Sequence, residues 1–246
     1  MATDTTLSQD LIKIIEARHH DPFSILGIQP NGKNITVTVF LRDTQSAKIN
    51  NELPLTRIEG TDIFQWTGLD SQLDKPYIIN RVAGNGDLVD THDPYSFLPQ
   101  LSEFDLHLFS EGKHWHAYRI LGAHAHQIDG VDGVLFATWA PSAQRVSIVG
   151  DFNQWDGRCH TMRARGATGV WELFVPDISA GEVYKYEIKA QDGSLHAKLD
   201  PYGQQSELRP STASIVAAKP QHDWLDNDWM ERRSKADWLH EAHSVY

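Results

Sequence analysis

Val134-Leu135-Phe136-Ala137-Thr138-Trp139, Ala140-Pro141-Ser142-Ala143-Gln144 and Arg145-Val146-Ser147-Ile148-Val149-Gly150 form the continuous stretch on which the fold turns. Two apolar runs of strand length flank a polar turn that contains a proline, which is a hairpin signal. The loop that follows, Asp151-Phe152-Asn153-Gln154-Trp155-Asp156-Gly157, sets two aromatic residues among turn formers and predicts at least one ring facing solvent. Residues 170–175 and 184–188 read as further strands. In the second of these Tyr184, Tyr186 and Ile188 alternate with Lys185, Glu187 and Lys189, giving one buried face and one wet face. Residues 133–202 therefore read as a small β-sandwich.

Working outward, the same pattern recurs earlier in the chain. Tyr77-Ile78-Ile79-Asn80-Arg81-Val82 aligns with Tyr184-Lys185-Tyr186-Glu187-Ile188-Lys189, and Asp93-Pro94-Tyr95 with Asp200-Pro201-Tyr202, at a constant offset of 107 residues. Leu26-Gly27 and Leu121-Gly122 precede the two copies at an offset of 95 residues, the difference being absorbed in loops. Ile35, Val37, Val39 and Leu41 alternate with Thr36, Thr38 and Phe40, as a half-buried strand should, and shorter strands are expected at 47–49, 63–67 and 77–82. An internal repeat of this length implies two versions of one fold. Before them, Leu11, Ile12, Ile14 and Ile15 behind a Ser8 cap predict a short amphipathic helix running to about Arg18. The expected fold class is all-β: two tandem immunoglobulin-like β-sandwiches with a short N-terminal helix and a C-terminal tail. The expected division is helix 1–18, first sandwich 19–95, linker 96–118, second sandwich 119–220 and tail 221–246.

Composition narrows the function classes. With 22 Lys+Arg against 33 Asp+Glu, the formal net charge is −11 over 246 residues, so a polyanion would be repelled and nucleic acid is not an expected partner. No apolar run reaches the length of a membrane span, and Met1-Ala2-Thr3-Asp4 lacks the basic start of a secretion signal. A cytoplasmic protein with no membrane partner is expected. The single cysteine, Cys159, excludes an internal disulfide and has no histidine in a catalytic motif, so it reads as a buried or idle thiol. The 13 histidines include His19-His20, His114 with His116, and His124 with His126, but no metal-ligand spacing accompanies them. No cofactor or metal is expected.

His20-Asp21-Pro22-Phe23, Leu121-Gly122-Ala123-His124, Trp139-Ala140-Pro141, Val149-Gly150-Asp151-Phe152-Asn153-Gln154-Trp155, Gly169-Val170-Trp171-Glu172-Leu173 and Tyr184-Lys185-Tyr186-Glu187-Ile188 together resemble the non-catalytic N-terminal half of bacterial 1,4-α-glucan (glycogen) branching enzymes. The resemblance covers nearly the whole chain. The second copy is similar to the family-48 carbohydrate-binding module also found in the β-subunit of AMP-activated protein kinase. The first is similar to the extra N-terminal module of long-form branching enzymes. The resemblance implies that a (β/α)8 barrel follows, cleaving an α-1,4-glucan and transferring the fragment to a 6-hydroxyl through a covalent glycosyl-enzyme. No catalytic residue can be carried onto these residues, because that barrel would hold them.

The resemblance also implies glucan-binding residues. Family members pair the Trp of the Asn-x-Trp loop with a second Trp after an Asp-Gly turn, and add a Lys from the Tyr-Lys strand; here Trp155 and Lys185 match. Leu195, after Asp192-Gly193-Ser194, stands where the second Trp would be. In the first copy Tyr77 is followed by Ile78 and residues 49–52 hold no Trp, so that copy is expected to be structural. The implied partners are an α-1,4-glucan and the catalytic barrel. Trp224, Trp229 and Trp238, with Ser244-Val245-Tyr246 beginning a strand, are more apolar surface than a tail without a core can bury, so the chain is expected to continue. The alternative is a free-standing glycogen-binding or regulatory module, and a third reading is an immunoglobulin-like adhesion protein.

Overall fold

The computed structural model describes residues 7–218, 223–237 and 240. The expectations for Met1 to Asp4, Trp238 and Ser244 to Tyr246 lie outside the described residues. The first element is α1 (Gln9–Ile15), capped as its sequence predicts, with the Ser8 hydroxyl accepting the Leu11 N–H at 3.2 Å. It stops short of Arg18 because Ala17 takes a left-handed φ of 48°.

The first sandwich comprises β1 (Gly27–Asn31), β2 (Asn34–Phe40), β3 (Thr44–Ile49), β4 (Leu53–Arg57), β5 (Ile63–Gly68), β6 (Ile78–Ala83) and β7 (Leu88–His92), in the order β1-β2-β5-β4-β3-β6-β7. β4 turns the corner between the two leaves: its Leu53 and Leu55 pair with β3, and its Thr56 and Arg57 with β5. Val37, Val39, Ile49, Phe64, Tyr77 and Ile79 fill the space between. β2 departs from the half-buried expectation. Thr38 and Phe40 on its other face are buried too, because Ile14 of α1, Leu26 and Tyr95 close over Phe40 and Ile63 as a second apolar cluster. Each such side chain taken from water contributes about 1.5–3 kcal/mol, so the helix is part of the fold rather than an appendage.

The second sandwich has one sheet of β8 (Gly122–Ile128), β9 (Val131–Trp139), β11 (Arg163–Ala164) and β12 (Val170–Pro176). The other holds β10 (Ala143–Gly150), β13 (Val183–Ala190), β14 (Leu195–Lys198), β15 (Gln205–Ser206) and β16 (Ser214–Ile215). The hairpin expected between residues 134–139 and 145–150 is not formed. β9 pairs with β8 and β12, whereas β10 pairs with β13, so the Ala140-Pro141 turn carries the chain across from one sheet to the other. The physical reason is burial: Val134 to Thr138 and Arg145 to Gly150 are all buried, and two strands covered on both faces are better placed facing each other across a core than side by side at its edge. Val134, Phe136, Val146, Ile148, Leu173 and Tyr186 form that core.

The internal repeat has a common physical content. In the first copy the Tyr77 hydroxyl donates to Asp93, whose other oxygen accepts the Tyr95 N–H at 2.9 Å. In the second the Tyr184 hydroxyl donates to Asp200 at 2.6 Å, and Asp200 accepts the Tyr202 N–H at 2.8 Å. All four side chains of the two pairs are buried. Burial pushes the Asp93 carboxyl up to about 6, against the lowering effect of Tyr77 and the Tyr95 N–H, and pushes Asp200 in the same direction. Gly27 and Gly122 complete the unit. Both have positive φ, and a Cβ on Gly27 would lie 2.4 Å from the Tyr95 carbonyl oxygen.

The segment 96–118, expected to be a linker, contains α2 (Glu103–Ser110) and is packed onto the second sandwich. Phe97, Leu101 and Leu106 are buried against Leu121, Leu135 and Phe174. Beneath them the Glu172 carboxylate accepts the Gln100 and Leu101 N–H groups at 3.1 and 2.8 Å and pairs with Arg165 at 2.8 Å. Propensity alone does not predict this; a buried carboxylate on β12 recruits the segment by satisfying its backbone. The two sandwiches also touch directly. The Tyr95 hydroxyl accepts the Thr161 N–H at 3.0 Å, His92 binds Asp177 through backbone and ring, and Arg42 meets Asp156 at 3.3 Å. Beyond the sandwiches, α3 (Asn227–Lys235) has no buried residue.

Candidate functional site

The site is built on the loop between β10 and β11, and its organiser is Asn153. Buried at the loop base, its side-chain oxygen accepts the Gly150 N–H at 3.0 Å and its amide donates to the Ile148 carbonyl at 2.8 Å, closing the loop on the end of β10. Gln154 and Trp155 then take left-handed φ values of 55° and 59°, and the Trp155 N–H returns to the Gly150 carbonyl at 2.9 Å. Two consecutive left-handed non-glycine residues store strain, and the Asn153 bonds hold them there. The indole N–H donates to Asp151 at 2.8 Å, leaving the ring 41% exposed in one orientation. Phe152, the other ring of the loop, packs into the sandwich core.

Below the loop lies a polar floor. Arg145, 1% exposed, donates to Ser147 and to the Gly157 carbonyl, both at 2.6 Å, and pairs with Glu187 at 2.5 Å. Gly157 is required there, since a Cβ would sit 2.0 Å from a Glu187 oxygen. Burial would raise the neighbouring Asp156 carboxyl, but the hydrogen bonds and charge of Arg158, with Arg42 beside them, hold it below its ordinary value. Trp155, Gln154, Glu187, Lys189 and Leu195 line a cavity of about 400 Å³ above this floor, and its far side is formed by Glu16, Ala17 and Arg42.

Of the two residues expected to contact glucan, Trp155 is on the cavity and Lys185 is not. Lys185 lies on the same wet face of β13, opposite Val149, and its ammonium donates to Thr212 at 2.8 Å. Lys189 lines the cavity with Trp155, and the register of β14 on β13 sets Leu195 opposite Lys189 there. The alternation of Lys185, Glu187 and Lys189 identified this face from sequence, but not which lysine lines the cavity. Asn153, Arg42 and Ala17 carried no sequence signal beyond the turn-forming character of Asn153.

Cys159 is covered by the contact between the sandwiches, and burial pushes its thiol up to about 12. That shift favours the protonated thiol at neutral pH.

Residues 7–95 match the family model of the alpha-1,4-glucan branching enzyme GlgB N-terminal domain, and residues 120–203 match that of carbohydrate-binding module 48, the isoamylase N-terminal domain. The first sandwich is thus similar to the branching-enzyme N-terminal domain and the second to carbohydrate-binding module 48. The chain is 52% identical over 242 residues to the 1,4-alpha-glucan branching enzyme GlgB of Nitrosococcus oceani, covering 97% of this chain and 32% of that protein. It is 48% identical over 252 residues to the GlgB of Cellvibrio japonicus, covering 98% of this chain and 34% of that protein. The chain thus spans about a third of the length of the curated relatives it matches, their N-terminal part. A pullulanase type I of Bacillus subtilis crystallised with maltose matches 80% of this chain and 27% of its own, at 19% identity and a TM-score of 0.35; that score is too low to add to the case. The Trp155 loop lies within the residues that match carbohydrate-binding module 48, and Glu16, Ala17 and Arg42 of the cavity lie within those that match the branching-enzyme N-terminal domain.

Proposed function

We propose that these sandwiches are the glucan-holding, non-catalytic part of a branching enzyme that transfers α-1,4-glucan segments to 6-hydroxyls. The observation that carries this is the identity of 52% across 97% of the chain with a GlgB branching enzyme. In this reading the outer face of the second sandwich holds an α-1,4-glucan, with Trp155 as the stacking platform and Lys185 as a cation on the same face. A pyranose offers a C–H face to an indole and hydroxyls to charged donors, which is the chemistry this surface presents. The units at 19–95 and 119–220 act as two modules, with the segment between them travelling with the second. Trp224, Trp229 and Met230, which are 73%, 47% and 48% exposed, face the catalytic barrel of the parent enzyme. The protein works in the cytoplasm, where glycogen is made; none of the described helices is long and apolar enough to cross a membrane.

Electrophoresis of the purified chain through glycogen-containing gels tests the reading. Retardation with millimolar-scale affinity, about −4 kcal/mol, is expected for a single-ring platform, and Trp155→Ala should restore the mobility seen without glycogen. Equal retardation of both proteins would remove Trp155 from the platform.

A further inference from the structure

We infer that the glucan site is shared between the two sandwiches, with Lys189 and Gln154 of the second supplying the hydroxyl contacts and Ala17 and Arg42 of the first forming the opposite wall. This rests on the glucan reading above and says where the remaining contacts come from.

The polar groups around Trp155 divide into those already engaged and those left over. Lys185 is held by Thr212 at 2.8 Å, Arg42 and Arg158 by Asp156 at 3.3 and 2.7 Å, and Arg145 by Ser147, Gly157 and Glu187. Lys189 and Gln154 line the cavity, and among the described residues neither side chain makes a hydrogen bond or ion pair within the protein. Their donors can reach sugar hydroxyls without breaking an existing bond, whereas Lys185 would first have to leave Thr212.

Shape supports the same conclusion. One indole gives little stacking area by itself, and Leu195, 58% exposed, stands where a second ring would add to it. The first sandwich supplies a second wall to this open groove instead. The left-handed turn at Ala17 ends α1 beside the loop, and the Arg42–Asp156 pair fixes the first sandwich against it. The resulting space of about 400 Å³ falls within the range of about 300–1,000 Å³ that small-molecule sites occupy. A sandwich with no platform of its own thus becomes one wall of its neighbour's site.

The test uses the 246-residue chain in glycogen gels, with titration of maltoheptaose by calorimetry as the second measurement. Ala17→Trp fills the wall from the first sandwich, Lys189→Ala removes the free ammonium, and Lys48→Ala, an exposed residue of β3, controls for loss of one charge. Ala17→Trp and Lys189→Ala should each weaken glycogen binding by roughly five- to tenfold at an unchanged melting temperature, and Lys48→Ala by less than about twofold. Wild-type affinity in Ala17→Trp and Lys189→Ala, while Trp155→Ala abolishes retardation, overturns the shared site and leaves the glucan reading standing. A wild-type chain that is not retarded, or a Trp155→Ala protein retarded as wild type, overturns both. If Ala17→Trp does not fold, Glu16→Lys, one position earlier on the same wall and at an ordinary φ of −84°, takes its place as the first-sandwich variant: a changed glycogen affinity at an unchanged melting temperature supports the shared site, and wild-type affinity overturns it.

Discussion

Substituting Asp93 by Asn should change the stability of this protein by an amount that depends on pH, and the structure gives both sign and size. Asp93 is 2% exposed, accepts from Tyr77 and from the Tyr95 N–H, and has its pKa raised by burial to about 6. In the unfolded chain the same carboxyl titrates near 4. The folded state therefore binds the proton more tightly, and the stability this confers is fully present below pH ~4 and lost as pH rises through about 6. Above that the fold holds a buried carboxylate at a cost. Two decades of proton affinity amount to about 3 kcal/mol in all, of which about 2 kcal/mol falls between pH ~4.5 and ~8. Asn cannot ionise but keeps one acceptor for the two donors, so Asp93→Asn loses a hydrogen bond at every pH and escapes the cost only at high pH. Urea denaturation followed by tryptophan fluorescence, for both proteins at both pH values, should show Asn about 2 kcal/mol less destabilising, relative to wild type, at the higher pH. Comparing the two proteins matters because His160 opposes Asp93. Burial holds its imidazole down to about 4, so its contribution grows with pH as that of Asp93 fades, and wild type alone would show a flattened profile. A destabilisation by Asn that is the same at both pH values, within about 0.5 kcal/mol, would show that Asp93 is ionised throughout and that its hydrogen bonds outweigh its burial.

Glu172→Ala should cost about 3 kcal/mol, because it leaves the buried Arg165 guanidinium only the exposed Glu103 as a charged partner and removes the acceptor of the Gln100 and Leu101 N–H groups; limited proteolysis should then cut within 97–110 first, and a variant resistant there would mean that apolar packing alone holds the segment. Gly157→Ala should destabilise by roughly 1–3 kcal/mol, since the new methyl lies 2.0 Å from the Glu187 oxygen that pairs with Arg145. A melting temperature equal to wild type in Gly157→Ala would show that Glu187 can swing out at no cost.

Much of the molecule was legible in its residue order because the signals are local or repeated. The alternation of Tyr184, Tyr186 and Ile188 with Lys185, Glu187 and Lys189 set one strand face wet, the capping serine began α1, and the 107-residue offset announced two copies of one fold before any strand was paired. The Asn-x-Trp turn pointed to an outward ring at Trp155, since two aromatics among turn formers cannot both find a core. What residue order could not decide were matters of pairing and approach. Two strand-length runs joined by a short turn are compatible with a hairpin or with two facing strands, and only the completed sheets put residues 134–139 and 145–150 on opposite sides of the core. Segment 96–118 has no strong periodicity, and it became ordered because Glu172, some seventy positions on, needed its backbone donors. The site divides in the same way. The exposed ring of Trp155 could be read directly, but that Lys189 and not Lys185 lines the cavity, and that Ala17 and Arg42 line it too, follows from how the strands and the two sandwiches come together. Sequence determines what each side chain can offer; which groups remain unengaged, and what they look across at, is settled only when long-range contacts have claimed the rest.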